Sequence, residues 1–158
     1  MLFRSHKVLN NPRVLKELSS DYVYPLSIEK VRKDIRNALN GWRTGKAYVF
    51  TVFVDGNIAG QAFLEEPDET KKRYTIGFYV GKEYWNKGIT SEAVKQIVKF
   101  GFDKLKLHKI VGDHDGCNPA SGRVMEKAGF EKVGVFKKHA FRQGKWQDVI
   151  HYGLIRRK

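Results

Sequence analysis

Hydrophobic residues in the first third of the chain recur at helical spacing. Asn11-Pro12 has the form of an N-cap followed by proline, which opens a short helix. The apolar positions on one face of that helix are Val14, Leu15 and Leu18. Ser27 caps a longer predicted helix that Gly41 ends. The apolar stripe of this second helix is Ile28, Val31, Ile35, Ala38 and Leu39.

Strand-like patterns follow in the middle of the chain. Ala47–Val54 is rich in β-branched and aromatic residues, Asp55-Gly56 is a hairpin turn, and Asn57–Leu64 returns beside the first strand. After a polar turn at Glu65–Lys72, a third strand is predicted over Tyr74–Val80.

Helices and strands alternate in the second half. Thr90 opens a helix, a strand is predicted over His108–His114, and Asn118-Pro119 opens a helix that runs to Ala128. The apolar face of the Thr90 helix is Ala93, Val94, Ile97, Val98, Phe102 and Leu105. Two strands, Phe130–Phe141 and Trp146–Ile155, close the pattern. Because we find no repeat or linker, we predict one α/β domain over residues 1–158 with helices on a mixed sheet.

Composition excludes several classes of protein. The 158 residues are 41% hydrophobic, which is enough for a packed core, and the longest apolar stretch, Ala47–Val54, is too short to span a membrane. The first seven residues lack the apolar core of a signal peptide, so we expect a cytoplasmic protein without membrane association. Cys117 is the only cysteine, which excludes an internal disulfide and a cysteine-based zinc site, and we predict no metal site.

Basic side chains outnumber acidic ones by 30 to 17, which gives a net charge of +13. Residues 1–80 carry thirteen basic and nine acidic side chains, whereas residues 81–158 carry seventeen and eight. The positive field of the C-terminal half would attract a polyanion such as a phosphorylated cofactor, RNA or a ribosome. A solubilising surface of scattered lysines would have the same charge, so composition alone does not distinguish it from a surface that binds a polyanion.

Residues 80–91 connect the third strand to the Thr90 helix and carry glycine and lysine. Gly88 would let the backbone approach an anion closely, and the next helix offers unpaired amides at the positive end of its dipole. The spacing matches neither a P-loop nor a dinucleotide-binding motif. The segment is therefore either a phosphate site or a plain connection.

Five sequence blocks follow one another in order: Ile76–Val80, Glu83–Ala93, Asn118–Ser121, Glu126–Phe130 and Gly144–Val149. Together they closely resemble the GNAT superfamily of acyl-CoA N-acetyltransferases, in its branch of ribosomal-protein N-terminal acetyltransferases (RimJ/RimL-like). The resemblance implies a mixed, mostly antiparallel sheet flanked by helices. Two features depart from the family: Thr90 stands where its pyrophosphate loop has a small residue, and Met1–Lys7 leaves little room for its first strand. That first strand is therefore either shortened, or missing and supplied otherwise.

The resemblance implies acetyl-CoA as the acyl donor. The backbone of Phe78, Tyr79 and Val80 would pair with the pantetheine arm, and one amide, that of Val80, would polarise the thioester carbonyl. Asn118 would hydrogen-bond the same arm while capping its helix. Contacts to the phosphates would come from loop amides and two basic side chains: Asn86, Lys87, Gly88, Ile89, Thr90, Ser91, Arg123 and Lys127.

The acid that protonates the departing thiolate is predicted at Ser121, which matches the residue with that role in the ribosomal branch. Ser121 could equally be a helix residue that only contacts the cofactor. Many relatives have a tyrosine at the position of Met125, and methionine cannot donate a proton. We expect Asp148 to fix the last hairpin. Cys117 has no identifiable base partner, so we predict no acyl-cysteine intermediate.

The general base has three candidates. Asp113 lies five residues before Asn118, where some N-terminal acetyltransferases carry a catalytic glutamate. Histidine titrates near neutral pH, which makes His139 and His114 the other two candidates. Strand alternation sends Asp113 and His114 to opposite faces, so at most one of them reaches the acceptor. We rank Asp113 first because its strand borders the presumed thioester site, and His139 second because its position depends on how the last hairpin folds back. The glutamate proposed as base in the ribosomal branch is missing here, where Ala140 occupies its position.

These assignments predict an N-acetyltransferase that acts by direct transfer in a ternary complex, with a protein N-terminus as the leading acceptor. A polyamine is less favoured because the basic chain repels it, although an acidic group could attract it: Glu65, Glu66, Asp68 and Glu69. A small-molecule amine is a further candidate acceptor. A homodimer is compatible with the sequence. The alternative class is a non-catalytic module that associates with RNA or the ribosome, which an acetyl-CoA titration would distinguish.

Overall fold

Residues 2–18, 22–142 and 144–157 are described by a computed structural model. The N-terminal part consists of three helices: α1 (Leu2–Leu9), α2 (Pro12–Leu15) and α3 (Ile28–Thr44). The strands β1 (Ala47–Val54), β2 (Asn57–Glu65) and β3 (Arg73–Val80) follow, and a single 3-10 turn (Lys82–Tyr84) leads to α4 (Ile89–Asp103). The chain continues with β4 (Lys109–Asp115), α5 (Pro119–Lys127), β5 (Glu131–Arg142) and β6 (Lys145–Ile155).

The six strands form one sheet in the order β1-β2-β3-β4-β6-β5. Every neighbouring pair is antiparallel except β3 and β4, which run parallel. A mixed, mostly antiparallel sheet flanked by helices is therefore confirmed. None of the helices in the described part of the chain is both long and apolar enough to cross a membrane.

Two apolar clusters lie on opposite faces of the sheet. The alternation of side chains along β3 separates them, because Tyr74 and Ile76 belong to one cluster and Tyr79 packs against the other. The larger cluster fills the space under α4 and α5; among its buried members are Leu64, Val94, Ile97, Leu107, Ile110, Met125 and Tyr152. The smaller cluster joins the N-terminal helices through Leu9, Leu15, Leu26 and Val31.

The first residues of the chain differ from the expectation. Leu2–Leu9 forms a helix that buries Ser5 and Leu9, so a strand shortened at this position is wrong. In the described residues the first strand is β1, which pairs only with β2 and is an edge of the sheet. No helix was predicted for this segment from the sequence, and Phe3 is exposed on it.

Two helix N-caps were predicted correctly, whereas the C-terminal end of α3 was not. The two N-caps are confirmed: Ser27 Oγ accepts a hydrogen bond from the Lys30 amide at 3.1 Å, and Asn11 Oδ1 accepts one from the Arg13 amide at 2.9 Å. The end of α3 at Gly41 is wrong, since the helix continues to Thr44 and Gly45 caps it in the left-handed conformation. Gly41 lies instead where α3 turns back onto β1.

Candidate active site

The sheet opens between β3 and β4. These parallel strands pair only over Arg73–Thr75 and Lys109–Val111. Beyond those residues β3 continues to Val80 and β4 to Asp115, with β4 still paired to β6. The result is a gap in which one edge of β3 has no neighbouring strand.

The register of β2 and β3 decides which residues of β3 face that gap. The Gly81 amide donates to the Ala59 carbonyl at 2.8 Å, so alternate residues back along β3 bond to β2. Phe78 and Val80 are the residues between, and their backbone groups point toward the gap. The Val80 carbonyl accepts a hydrogen bond from the Trp85 indole nitrogen at 3.0 Å, which leaves its amide directed at the opening.

A cleft of about 510 Å³ occupies the gap. Strand β3 lines it with Phe78, Tyr79 and Val80, and the following loop and α4 line it with Tyr84, Trp85, Asn86, Gly88, Thr90 and Ser91. The other wall comes from the start of α5 and the residue before it, with Cys117, Asn118, Pro119, Ala120, Ser121, Arg123, Val124 and Lys127. Val14, Glu17 and Leu18 of the N-terminal segment also line the cleft.

The N-terminus of α4 is open to the cleft. Gly88 is the N-cap residue with φ +77°, and no side chain caps the helix. The Glu92 amide donates to the Gly88 carbonyl at 3.0 Å, so the amides of the residues before Glu92 have no acceptor within the helix. Such amides and the helix dipole bind anions, and phosphate is the common ligand at such an end.

Helix α5 carries the basic residues of the cleft. Arg123 and Lys127 are exposed, one turn apart, and both line the same space as the open end of α4. Gly122 permits this placement, since a Cβ there would lie 2.6 Å from His114 Nε2 and 2.9 Å from Tyr152 Oη. The helix therefore packs directly on β4 and β6.

Most of the predicted cofactor residues are brought together here. Phe78, Tyr79, Val80, Asn86, Gly88, Thr90, Ser91, Asn118, Arg123 and Lys127 line the cleft, and so does Ser121. Lys87 and Ile89 line a separate groove of about 680 Å³ between β1 and α4, so only their backbone groups can belong to the phosphate end.

Asn118 departs from its expected capping role. It occupies the N-cap position of α5, but its side chain makes no capping hydrogen bond. Its carbonyl accepts a long bond of 3.3 Å from the Ser121 amide. The capping half of the prediction is wrong, and the side chain is available to a ligand in the cleft.

The predicted base residues do not line the cleft. Asp113 is exposed and faces His151 across the β4–β6 pair, with 3.9 Å between its Oδ2 and His151 Nδ1. His139 lies on β5, where its ring centroid is 5.1 Å from that of Phe136. His114 packs beneath α5 and contacts the Asp115 carbonyl at 2.8 Å. The catalytic roles of Asp113 and His139 stay predictions.

Two features were missed from the sequence, one in the cleft and one outside it. Glu17 is the only carboxylate among the cleft-lining residues of the described chain. His151 Nε2 is buried without a hydrogen-bond partner among the described residues, next to the ring of Phe136 at 4.3 Å. Neither residue belongs to a sequence motif, and their positions depend on contacts between elements far apart in the chain.

Burial and nearby charges set the protonation of two cleft residues. Burial raises the pKa of Tyr79, and the neighbouring Tyr22 and Asp34 raise it further, so this hydroxyl stays neutral. Burial also raises the pKa of the Cys117 thiol, with further contributions from Asp115 and Glu17. A protonated thiol is a poor nucleophile, which agrees with a reaction that forms no acyl-cysteine.

Two acidic features have structural roles. Asp148 accepts hydrogen bonds from the Lys138 amide and the Lys137 ammonium, each at 2.9 Å, and so joins β6 to β5 as expected. Asp68 accepts bonds from the amides of Lys72 and Arg73 and from Thr70 Oγ1, which closes the β2–β3 turn. This turn lies at the other end of β3 from the cleft.

Among the described residues no three His, Cys, Asp or Glu side chains gather to hold a metal ion.

Known proteins with similar sequences are N-acetyltransferases. The chain is 28% identical over 120 residues to the putative ribosomal N-acetyltransferase YdaF of Bacillus subtilis, covering 76% of this chain and 62% of that protein. It is 25% identical over 152 residues to the uncharacterized N-acetyltransferase p20 of Bacillus licheniformis, covering 94% of this chain and 84% of that protein. The chain thus spans less than two thirds of the length of YdaF.

Solved structures share the fold. A RimL ribosomal L7/L12 alpha-N-protein acetyltransferase in complex with coenzyme A has a TM-score of 0.89 at 21% identity, covering 98% of this chain and 88% of that one. Spermidine N-acetyltransferase from Vibrio cholerae, in complex with CoA and spermine, has a TM-score of 0.82 at 20% identity, with coverages of 98% and 89%. Residues 3–131 match the acetyltransferase (GNAT) domain. Because this match spans most of the chain, the protein belongs to the GNAT acetyltransferase family.

Proposed function

We propose that this protein transfers the acetyl group of acetyl-CoA to a primary amine by direct attack in a ternary complex. The single observation that carries the proposal is the cleft between β3 and β4. It combines an unpaired strand edge, which can bond to the amides of a pantetheine arm, with the open N-terminus of α4, which can hold a pyrophosphate. N-acetyltransferase relatives and CoA-bound structures of the same fold support the same donor.

Different residues of the cleft would contact different parts of acetyl-CoA. Amides from Asn86 to Ser91 would bind the pyrophosphate, with Arg123 and Lys127 contacting phosphates from α5. Phe78, Tyr79 and Val80 would bond to the pantetheine arm along the free edge of β3, and Asn118 would contact it from the opposite wall. Thr90, which departs from the family's small residue, also lines the cleft.

The transfer needs a neutral amine, a stabilised oxyanion and a proton for the thiolate. The amine nitrogen attacks the thioester carbonyl carbon, and the Val80 amide stabilises the negative oxygen. The N–C bond forms, the C–S bond breaks, and the amine proton leaves to a base or to water. Ser121, at the first turn of α5, protonates the departing thiolate. Asp113 and His139 remain the base candidates to test, although neither lines the cleft.

We propose a protein α-amine as the acceptor. The relative YdaF is a putative ribosomal N-acetyltransferase, and the RimL structure is that of a ribosomal-protein acetyltransferase, which supports this class. The acidic group that could attract a polyamine lies toward the far end of β3 from Val80: Glu65 pairs with Thr75, and Glu66, Asp68 and Glu69 precede Arg73. Five residues of strand place Thr75 roughly 16 Å from Val80, so this group lies away from an amine at the thioester.

The test is acetyl-CoA binding by calorimetry, followed by thiol release with a panel of acceptors. Peptides with free N-termini should release CoA faster than the same peptides with blocked N-termini, and faster than spermidine. Faster release with spermidine would favour a polyamine acceptor. Absence of acetyl-CoA binding at millimolar concentration would contradict the proposal and favour the non-catalytic RNA module. A cytoplasmic location, one domain, ribosome association and a homodimer stay predictions.

A further inference from the structure

The acidic and basic side chains that line the cleft come from different elements. Of the residues that line it in the described chain, Glu17, Arg123 and Lys127 are charged. Lys127 is eight residues after Pro119, which places it about 12 Å along α5 from the start of that helix. Both basic residues line the same cleft as the open N-terminus of α4. Glu17 lines the cleft from the N-terminal segment.

Glu17 lines the same cleft as Cys117, Asn118 and Ser121 at the start of α5, where the proposed acyl transfer would occur. In keeping with this placement, its charge contributes to raising the pKa of the Cys117 thiol. The backbone fixes this position, because the Glu17 amide donates to the Val14 carbonyl at 3.1 Å. Its side chain is 26% exposed, so it is held at the wall of the cleft yet remains open to a ligand.

Among the described residues, the ion-pair partner of Glu17 is the exposed Lys16. The ammonium of the adjacent Lys16 lies 3.7 Å away, but the Lys16 side chain is 52% exposed and free to leave. Asp115, the next carboxylate on this side, forms an ion pair with Arg142 at 2.9 Å. Glu17 therefore places one negative charge in the cleft, held only by an exposed ion pair, beside the apolar residues Val14 and Leu18.

We propose that Glu17 binds the acceptor as its ammonium ion and so selects amines that carry one charge next to small or apolar groups. This inference rests on the proposed acetyl transfer and names the residue that recognises the acceptor. The α-amine of a polypeptide has this form. Spermidine carries further charges, which would meet apolar side chains at this end of the cleft.

The proposed ion pair between Glu17 and the acceptor ammonium also predicts an effect on the pH dependence of the reaction. A carboxylate beside an ammonium stabilises the charged form and raises the pKa of the bound amine. The amine must lose one proton to water before it attacks; the second leaves after attack, as the thiolate gains one. Other charged or titratable groups around this space are Lys16, Tyr79, Tyr84, Asp115, Cys117, Arg123, Lys127 and Arg142.

The variant Glu17→Gln keeps the size of the side chain and removes its charge. With saturating acetyl-CoA and a peptide of free N-terminus, we expect KM for the peptide to rise about tenfold or more, since a charge-assisted hydrogen bond is lost. The rising limb of kcat against pH should move to lower pH, and the dissociation constant of acetyl-CoA should stay unchanged. Glu17→Asp should recover part of the affinity for the peptide.

The matched control is Glu29→Gln, an exposed carboxylate on α3 that pairs with Arg32 and does not line the cleft. It should change neither KM nor the pH profile. An unchanged KM in Glu17→Gln would overturn the inference, and so would a large loss of kcat at every pH with KM preserved, which indicates a base or a structural role.

Peptide binding to the CoA-loaded protein separates this inference from the proposed function. Calorimetry needs no turnover, so weaker binding in Glu17→Gln than in wild type supports Glu17 even if no acetyl group is transferred. Equal binding in the two proteins contradicts it. Failure of the wild type to release thiol with every amine would contradict acetyl transfer alone.

Discussion

Gly88 is the residue on which the phosphate end depends most directly. Its φ is +77°, and a Cβ added there would meet no protein atom within 4 Å, so the space in front of it is free for a ligand. We expect Gly88→Ala to weaken acetyl-CoA binding about tenfold or more, because the methyl group would displace the pyrophosphate from the α4 amides. Calorimetric titration with acetyl-CoA measures the change.

Gly56 provides a matched control for the backbone strain. It has φ +75° in the β1–β2 turn, and a Cβ there would also meet nothing within 4 Å. Gly56→Ala should lower Tm about as much as Gly88→Ala while leaving acetyl-CoA affinity at the wild-type value. If both variants bind acetyl-CoA as the wild type does, the phosphates are held elsewhere.

The role of Ser121 as the acid is tested by measuring turnover and acetyl-CoA affinity separately. Replacing it with alanine should lower kcat by roughly 10²–10⁴-fold if its hydroxyl protonates the thiolate, while the dissociation constant of acetyl-CoA changes little. Ser91→Ala, at the phosphate end of the same cleft, should affect affinity instead. A loss of kcat below about tenfold in Ser121→Ala would mean that water supplies the proton.

At this scale the sequence predicted residues that belong to local motifs. Phe78–Val80, Gly88 and Asn118–Ser121 each lie within one turn or strand, and all line the cleft. Glu17 could not be found, because its role depends on how the N-terminal segment packs across the gap of the sheet. The pairing of Asp113 with His151 was missed for the same reason, since thirty-eight residues separate them.

The contact between α3 and β1 supplies a prediction at the scale of elements. A Cβ on Gly41 would lie 2.8 Å from Ala47 Cβ and 3.1 Å from the Ala47 carbonyl oxygen. Although alanine is the better helix former, Gly41→Ala should destabilise the protein by about 1–3 kcal/mol through this overlap. Asn37→Ala, exposed in the same helix, should be neutral or slightly stabilising in denaturant unfolding.

The β5–β6 hairpin should have a pH-dependent stability. The Lys138 amide and the Lys137 ammonium lower the pKa of Asp148 below its ordinary value. A carboxylate with a lowered folded pKa stabilises the fold above its unfolded pKa, and that stabilisation is lost as pH falls through the folded value. Asp148→Asn should therefore lower Tm near pH 7, and the difference from wild type should shrink as the pH falls through the lowered folded pKa of Asp148. A difference that persists in acid would show that the charge is not responsible.

Elements with strong periodicity were predicted to within a few residues, and the exceptions have physical reasons. Helix α1 is only eight residues long, and a contact distant in sequence holds it: the Leu26 carbonyl lies 2.7 Å from His6 Nε2. Gly41 was assigned as a helix end because glycine usually marks one. Here it is needed for close approach to β1, and only the tertiary structure distinguishes these two uses.

For the molecule as a whole, the topology creates the site. Only one pair of neighbouring strands, β3 and β4, is parallel in the described sheet, and it separates after three residue pairs. The same break brings together the end of β3, the start of α4 and the start of α5. Sequence motifs identified these three parts separately, whereas the gap between the strands follows from the sheet itself.

The net charge of +13 predicts how acceptors approach this site. Long-range attraction should speed the encounter with a peptide whose first residues are acidic, and repulsion should slow the encounter with spermidine. Raising the salt concentration from about 0.01 to 0.15 M shortens the screening length from ~30 to ~8 Å and removes both effects. With acetyl-CoA saturating, kcat/KM should fall with salt for the acidic peptide and rise for spermidine. A neutral peptide of the same length is the control and should change little. If both charged acceptors respond in the same direction, the overall field does not select the acceptor, and discrimination rests on local contacts in the cleft.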